Sequence, residues 1–250
     1  MVTSLTLPRL AWGSPDAEHH ALLVHGLGSN AALMWRYGTA LAEDGWYAVA
    51  VDLRGHGPAP RSLDYTIAAY AADVAGVRAT AGAWDLVIGH SLGGAATVQA
   101  AADDPDWTRR LILVDPALRL LPHDREVVRR SQEEAFADTS IDAVRRAHPG
   151  WHPHDIELKA LAAQQASEWA VAQTSAQNPE WDVLPALSRL TVPTHVIASD
   201  PAVYSIYAGK IDDAVQAANP AITQSVVAGA GHSPHRDRPD DTIRMLREVL

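Results

Sequence analysis

Short apolar runs, each ending in glycine or a small residue and each followed by a stretch with helical spacing, recur along the first half of the chain. "HALLVHG" from His20 to Gly26, "YAVAVDLRGHG" from Tyr47 to Gly57, "DLVIGHS" from Asp85 to Ser91 and "RLILVDPA" from Arg110 to Ala117 are strand candidates. Runs apolar on both faces fit strands covered on both sides, and the spacing between them predicts helices at about 31–44, 67–80 and 94–103. That alternation predicts a mostly parallel, doubly wound α/β sheet with right-handed crossovers.

After Pro116 the pattern changes. Residues 118–187 read as helical and charged, interrupted by "HPGWHPHD" and "NPEWDVLP", and contain no clear strand. Strand patterning resumes with "VPTHVIASD" at 192–200 and "AITQSVVAGAGH" at 221–232, with a helix near 211–218 between them and a last helix from Asp240. The expected organisation is one core built from residues 1–117 and 188–250, with a helical insertion at 118–187.

Composition narrows the function classes. A chain of 250 residues, 47% hydrophobic and 20% charged, is of ordinary globular make-up and long enough for one large α/β domain. The net charge of −10 gives no support to a nucleic-acid or anionic-membrane surface, which needs clustered Lys and Arg. With no cysteine, disulfides, thiolate catalysis and thiolate metal sites are excluded together. The first residues, "MVTSLTLPRLAWGSPD", lack a basic start followed by an apolar stretch, and no run has the length of a bilayer span. The expectation is a cytoplasmic protein whose partner is a small molecule.

Ser91 lies in G-x-S-x-G, Gly89 to Gly93, between a predicted strand and a predicted helix. Small residues two positions to either side answer the crowding of a sharp turn, and a helix N-terminus there aims free N–H groups at developing negative charge. The Leu92 N–H is the first oxyanion donor this suggests. "HGLGSN" at 25–30 follows another strand and offers the Leu27 N–H as a second. The alternative reading of Ser91 is a simple helix cap. His148, His152 and His154 straddle two prolines without the i, i+4 spacing of a zinc motif, so no metal is expected. "HGLGSN" has no Gly-Lys-Ser/Thr, so nucleotide binding is not supported either.

Taken together, His25-Gly26-Leu27-Gly28, "DLRGHG" at 52–57, "GHSLGG" at 89–94, "LVDPA" at 113–117 and "GAGH" at 229–232 resemble the α/β-hydrolase fold superfamily. The resemblance implies a chain order of nucleophile, acid, base, and a helical cap between late strands. It implies Ser91 as nucleophile and His232 as base, with His235 as a rival for the base that is expected on the surface. Asp200, after "THVIAS", takes the place of the orienting acid, although "ASDPAVYS" departs from the usual glycine-bearing run; Asp115 is the alternative. Asp52 is expected to be structural, and His90 to point away from Ser91. The Trp residues at 151, 169 and 181 either line a pocket or pack the cap, and Tyr204 and Tyr207 either face that pocket or brace a helix.

What the resemblance implies is a cofactor-free serine hydrolase acting on carboxylic esters of small to medium apolar substrates. Amide, lactone, thioester or carbon-carbon hydrolysis and acyl transfer would use nearly the same residues. A non-catalytic small-molecule receptor and a cofactor-free oxygenase or haloperoxidase remain as readings from other classes.

Overall fold

The computed structural model describes residues 3–80 and 82–250. The strand candidates form β2 (His20–Val24), β3 (Tyr47–Val51), β4 (Leu86–His90), β5 (Leu111–Val114), β6 (Thr194–Ser199) and β7 (Thr223–Val227). They pair in parallel in the order β3-β2-β4-β5-β6-β7. A further strand, β1 (Arg9–Trp12), adds to β3 in antiparallel register, Arg9 opposite Val51 and Trp12 opposite Ala48, and completes a seven-stranded sheet. The sequence reading did not anticipate it. At an edge where Arg9, Leu10 and Ala11 are exposed and Trp12 is only partly covered, "RLAW" has no fully buried face to produce a periodic signal.

Period-two alternation divides the strand side chains between two cores. Leu22, Val24, Val87, Leu111, Leu113 and Val196 fill one side, packed beneath the helices α2 (Ile67–Ala75) and α3 (Leu92–Asp103). Leu23, Ile88, Ile112, Val114 and Ile197 fill the other, where α1 (Trp35–Glu43) and the C-terminal helix cover them. Each such fully buried aliphatic side chain contributes about 1.5–3 kcal/mol. Helix α3, "LGGAATVQAAAD", is small or apolar nearly all round, which lets it sit close against both the sheet and α2.

Two boundaries differ from the sequence expectation. The segment expected at 31–44 opens with a short 3-10 turn, Ala31–Met34, capped by the Asn30 side chain on the Leu33 N–H, before α1 begins at Trp35. Helix α2 ends at Ala75 rather than running on to residue 80; Gly76, a poor helix former, follows it with its N–H on the Ala72 carbonyl.

Between β5 and β6 lie five helices: α4 (Pro122–Ala137), α5 (Ile141–Ala147), α6 (Pro153–Gln165), α7 (Glu168–Ala176) and α8 (Leu184–Leu187). Helix α9 (Lys210–Ala218) joins β6 to β7, and α10 (Pro234–Asp237) and α11 (Pro239–Glu248) close the chain. Among the described residues, no helix is long and apolar enough to cross a membrane.

Candidate active site

Ser91 stands between β4 and α3 with φ 53° and ψ −117°, a left-handed conformation that a serine adopts only where its surroundings force it. The glycines around it are a steric necessity. A β-carbon at Gly93 would fall 2.3 Å from the Val24 carbonyl oxygen, and one at Gly89 would fall 2.5 Å from Thr97 Oγ1. Glycine at 93 therefore lets the turn press against the end of β2, and glycine at 89 lets the strand meet the start of α3. Ser91 makes no side-chain cap bond to α3, so its hydroxyl is free for another partner.

That partner is His232, on the loop after β7. Its Nε2 lies 2.9 Å from Ser91 Oγ, and its Nδ1 lies 2.7 Å from Asp115 Oδ2. Asp115 is fully buried at the end of β5 and has a left-handed φ of 37°. Its carboxylate also accepts from the backbone N–H groups of Ser199 at 3.2 Å and Ile206 at 3.1 Å, and from the Ser205 hydroxyl. With Asp115 receiving Nδ1–H, the His232 Nε2 lone pair faces the Ser91 hydroxyl, the arrangement in which an imidazole accepts a proton.

Asp200, the acid expected from the sequence, is not in this relay. Its carboxylate folds back on its own turn, accepting from Ala202 N–H at 2.8 Å and Gly229 N–H at 2.7 Å. These bonds, Gly229 first, hold its pKa below the ordinary carboxylate value. Asp200 ties the β6 turn to the loop that leads to His232, and Asp115 occupies the orienting position. The signal that favours Asp115 lies downstream, in the Ser199, Ser205 and Ile206 donors that converge on it.

His235 is also corrected. It is wholly buried, not on the surface, with its ring against Tyr37 and His90, 5.1 and 5.0 Å between centroids. The one-turn helix α10 turns it inward. The His90 ring runs beneath the site, its Nε2 2.8 Å from the His232 carbonyl oxygen, which steadies the loop that carries His232. Asp52 holds the Ala31 N–H at 2.8 Å. Trp181 is buried with its indole N–H on the Ala117 carbonyl, while Trp169 stays half-exposed against Tyr65. Tyr207 is buried with its hydroxyl toward Asp212.

A cavity of about 320 Å³ opens on Ser91 and His232. Leu27 lines it from the loop after β2, Tyr204 from the segment after β6, and Val128, Gln132 and Trp151 from the helical insertion. Leu92, the first residue of α3, has no intrahelical acceptor for its N–H. Two basic side chains that also line the cavity, Lys159 and Arg236, carry no signal in the sequence pattern. Arg236 sits four residues after His232, where its proximity to the base could have drawn notice; Lys159 lies deep in the insertion.

With this geometry in place, the similarities to known proteins can be read. Residues 21–245 match the alpha/beta hydrolase family. The chain belongs to that family. It is similar to 2-(acetamidomethylene)succinate hydrolase of Mesorhizobium japonicum, 29% identical over 254 residues that cover 92% of this chain and 87% of that one. A crystal structure of E-2-(acetamidomethylene)succinate hydrolase shares the fold with a TM-score of 0.82 at 26% identity, covering 98% of this chain and 95% of the other. A shorter stretch of 106 residues, 42% of this chain and 40% of the relative, is 40% identical to a pimeloyl-acyl-carrier-protein methyl ester esterase of Neisseria meningitidis serogroup B. These relatives are hydrolases.

Proposed function

We propose that this family member is a serine hydrolase that cleaves carboxylic esters through an acyl-enzyme on Ser91. The observation that carries the reading is the unbroken relay from Ser91 Oγ through His232 to Asp115, at 2.9 and 2.7 Å. His232 Nε2 takes the hydroxyl proton as Oγ attacks the carbonyl carbon. Asp115 holds the imidazole in the required tautomer and stabilises the imidazolium that forms. The N–H groups of Leu27 and Leu92 receive the oxyanion, the second from the positive end of α3. The same imidazolium then protonates the departing alcohol, and water activated by His232 releases the acid. No step of this cycle calls on a cofactor.

The insertion helices act in this reading as a cap. Residues of α4 and α6 line the cavity, which in this reading restricts the substrate to a small molecule and excludes bulk water. A second reading, hydrolysis of an amide in place of an ester, is favoured by the similarity over nearly the whole chain to 2-(acetamidomethylene)succinate hydrolase. The two readings share every residue of the relay and differ only in whether His232 protonates an amine or an alcohol.

Fluorophosphonate labelling followed by mass spectrometry, alongside p-nitrophenyl acetate turnover, tests the proposal. Wild type is expected to carry the label on Ser91 and to turn over. Ser91→Ala should lose both, with kcat/KM falling by roughly 10³-fold or more, the scale on which removing a triad member acts. Undiminished turnover by Ser91→Ala would sink the reading.

A further inference from the structure

On the cavity wall that also presents Trp151 stand the side chains of Arg236 and Lys159. Arg236, on α10, is 5% exposed. Its guanidinium lies 5.2 Å from the centre of the Trp151 ring, and its Nη1 donates to Ser233 Oγ at 3.3 Å. Its Nε and Nη2 have no hydrogen-bond partner among the described residues. Leaving a buried donor unpaired costs about 1–3 kcal/mol, and more for a charged group. Lys159 Nζ donates to the Gly28 carbonyl at 2.9 Å, one bond for a group that carries three donors.

The anions nearest to Arg236 are engaged elsewhere. Asp155 takes both Nε and Nη2 of Arg36, at 3.0 and 2.6 Å, and the Trp35 indole N–H at 2.8 Å. Asp237 takes the Gly231 N–H at 2.8 Å and the Trp151 indole N–H at 2.6 Å. His148, stacked on Trp151 at 3.7 Å, is kept neutral by burial, which lowers its pKa to about 4. Burial likewise lowers Lys159 to about 8 and Arg236 to about 10, so each would gain from a negative charge placed beside it. The cavity is thus lined by two cations with unused donors, and among the described residues no anion is bonded to either.

Resting on the serine-hydrolase reading above, we propose that Arg236 and Lys159 form a carboxylate-binding subsite, and that the substrate is a small ester or amide carrying a second, free carboxylate. The planar guanidinium offers the fork that matches a carboxylate, and Lys159 adds a point charge from α6. The cavity of about 320 Å³ suits a compact acid rather than a long acyl chain.

The test compares monomethyl glutarate with dimethyl glutarate in wild type, Arg236→Met, Arg236→Lys and Lys159→Met, with folding of each checked by its melting curve. Wild type is expected to favour the monoester. Arg236→Met should lose roughly tenfold to a hundredfold more kcat/KM on the monoester than on the diester, mainly through KM, the scale of one charge-assisted pair. Arg236→Lys should recover part of that difference. Losses of equal size on both esters would mean that Arg236 only supports the wall, and a wild-type preference for the diester would also overturn the subsite.

Glutarate binding to Ser91→Ala, followed by calorimetry, gives a readout that does not depend on turnover. Binding that weakens in Ser91→Ala/Arg236→Met supports the subsite even if neither ester is cleaved. Absence of glutarate binding overturns it, while fluorophosphonate labelling of Ser91 decides the hydrolase reading separately.

Discussion

Asp115 has the left-handed backbone that aspartate tolerates better than most residues, and its reward is a carboxylate aimed across the sheet ends at His232. Replacing it with asparagine changes few contacts in shape but sets an amide N–H₂ or a neutral oxygen against Nδ1, which favours the wrong tautomer. Asp115→Asn is therefore expected to lower kcat by roughly 10³- to 10⁴-fold, the effect of the same change in serine proteases. Asp200→Asn should keep most of kcat, since that carboxylate serves its own turn and the Gly229 N–H. Steady-state kinetics on both variants decides between them, and the opposite ranking would return the orienting role to Asp200. Ser91 on its tight turn and His232 after its Gly-x-Gly could be picked out from the sequence as candidates, the first because sterics fix a glycine pattern around such a turn. The acid could not, since a carboxylate's role depends on which donors the fold brings to it, and these come from residues 199, 205 and 206.

At the scale of elements, the sheet and its order of strands and helices were legible wherever burial on both faces left an apolar run, and illegible at β1, where it did not. The insertion was legible as helical, but the way it is joined to the core was not, because the joining residues are polar and aperiodic. "NPEWDVLP" marks the end of α7, and Asn178 at its start does structural work that the pattern does not reveal. Its Oδ1 accepts the Ile67 N–H at 2.9 Å, filling a free donor at the start of α2, and its Nδ2 donates to the carbonyls of Tyr65 at 2.9 Å and Thr174 at 2.7 Å. Gln177 adds the Tyr65 N–H at 2.8 Å. Asn178→Ala would remove three bonds and strand a helix donor, a loss of about 2 kcal/mol. Thermal unfolding should show this as a fall in Tm of about 4–8 °C for a chain of this size. A Tm unchanged by the substitution would mean that water replaces the side chain at no cost and that the insertion is held by its apolar contacts alone.

For the molecule as a whole, four buried histidines, His25, His56, His90 and His235, set the response to acid. His25 places Nδ1 2.7 Å from the Gly26 carbonyl and accepts the Leu53 N–H on Nε2 at 3.1 Å. His56 places Nδ1 3.0 Å from the Arg54 carbonyl and accepts the Gly28 N–H on Nε2 at 3.1 Å. Each of these rings is thus a neutral tautomer that clasps the loop after β2 to the loop after β3, and protonation would turn an acceptor against a backbone donor. Burial is the main cause that lowers all four, His56 to about 4 and the others well below their ordinary value of 6.5. Because the folded pKa is depressed, the unfolded chain binds more protons between the two values, so stability is full above about pH 6.5 and falls as pH drops below it. Each ring contributes up to about 1.4 kcal/mol per pH unit in that window. Together they act against a total stability of about 5–15 kcal/mol. Asp64 and Asp200, whose pKa values lie below the ordinary carboxylate value, lose their contribution only in stronger acid, and Asp52 and Asp124, which burial pushes up, gain stability as pH falls and so oppose the histidines rather than add to the decline. Melting curves between pH 8 and pH 4 should show a steady Tm above about pH 6.5 and a decline below it. A Tm that held constant to pH 4.5 would mean that the rings carry charge in the folded state, which requires Leu53 and Gly28 to have lost their acceptors and the loop bearing Leu27 to have come away from its clasp.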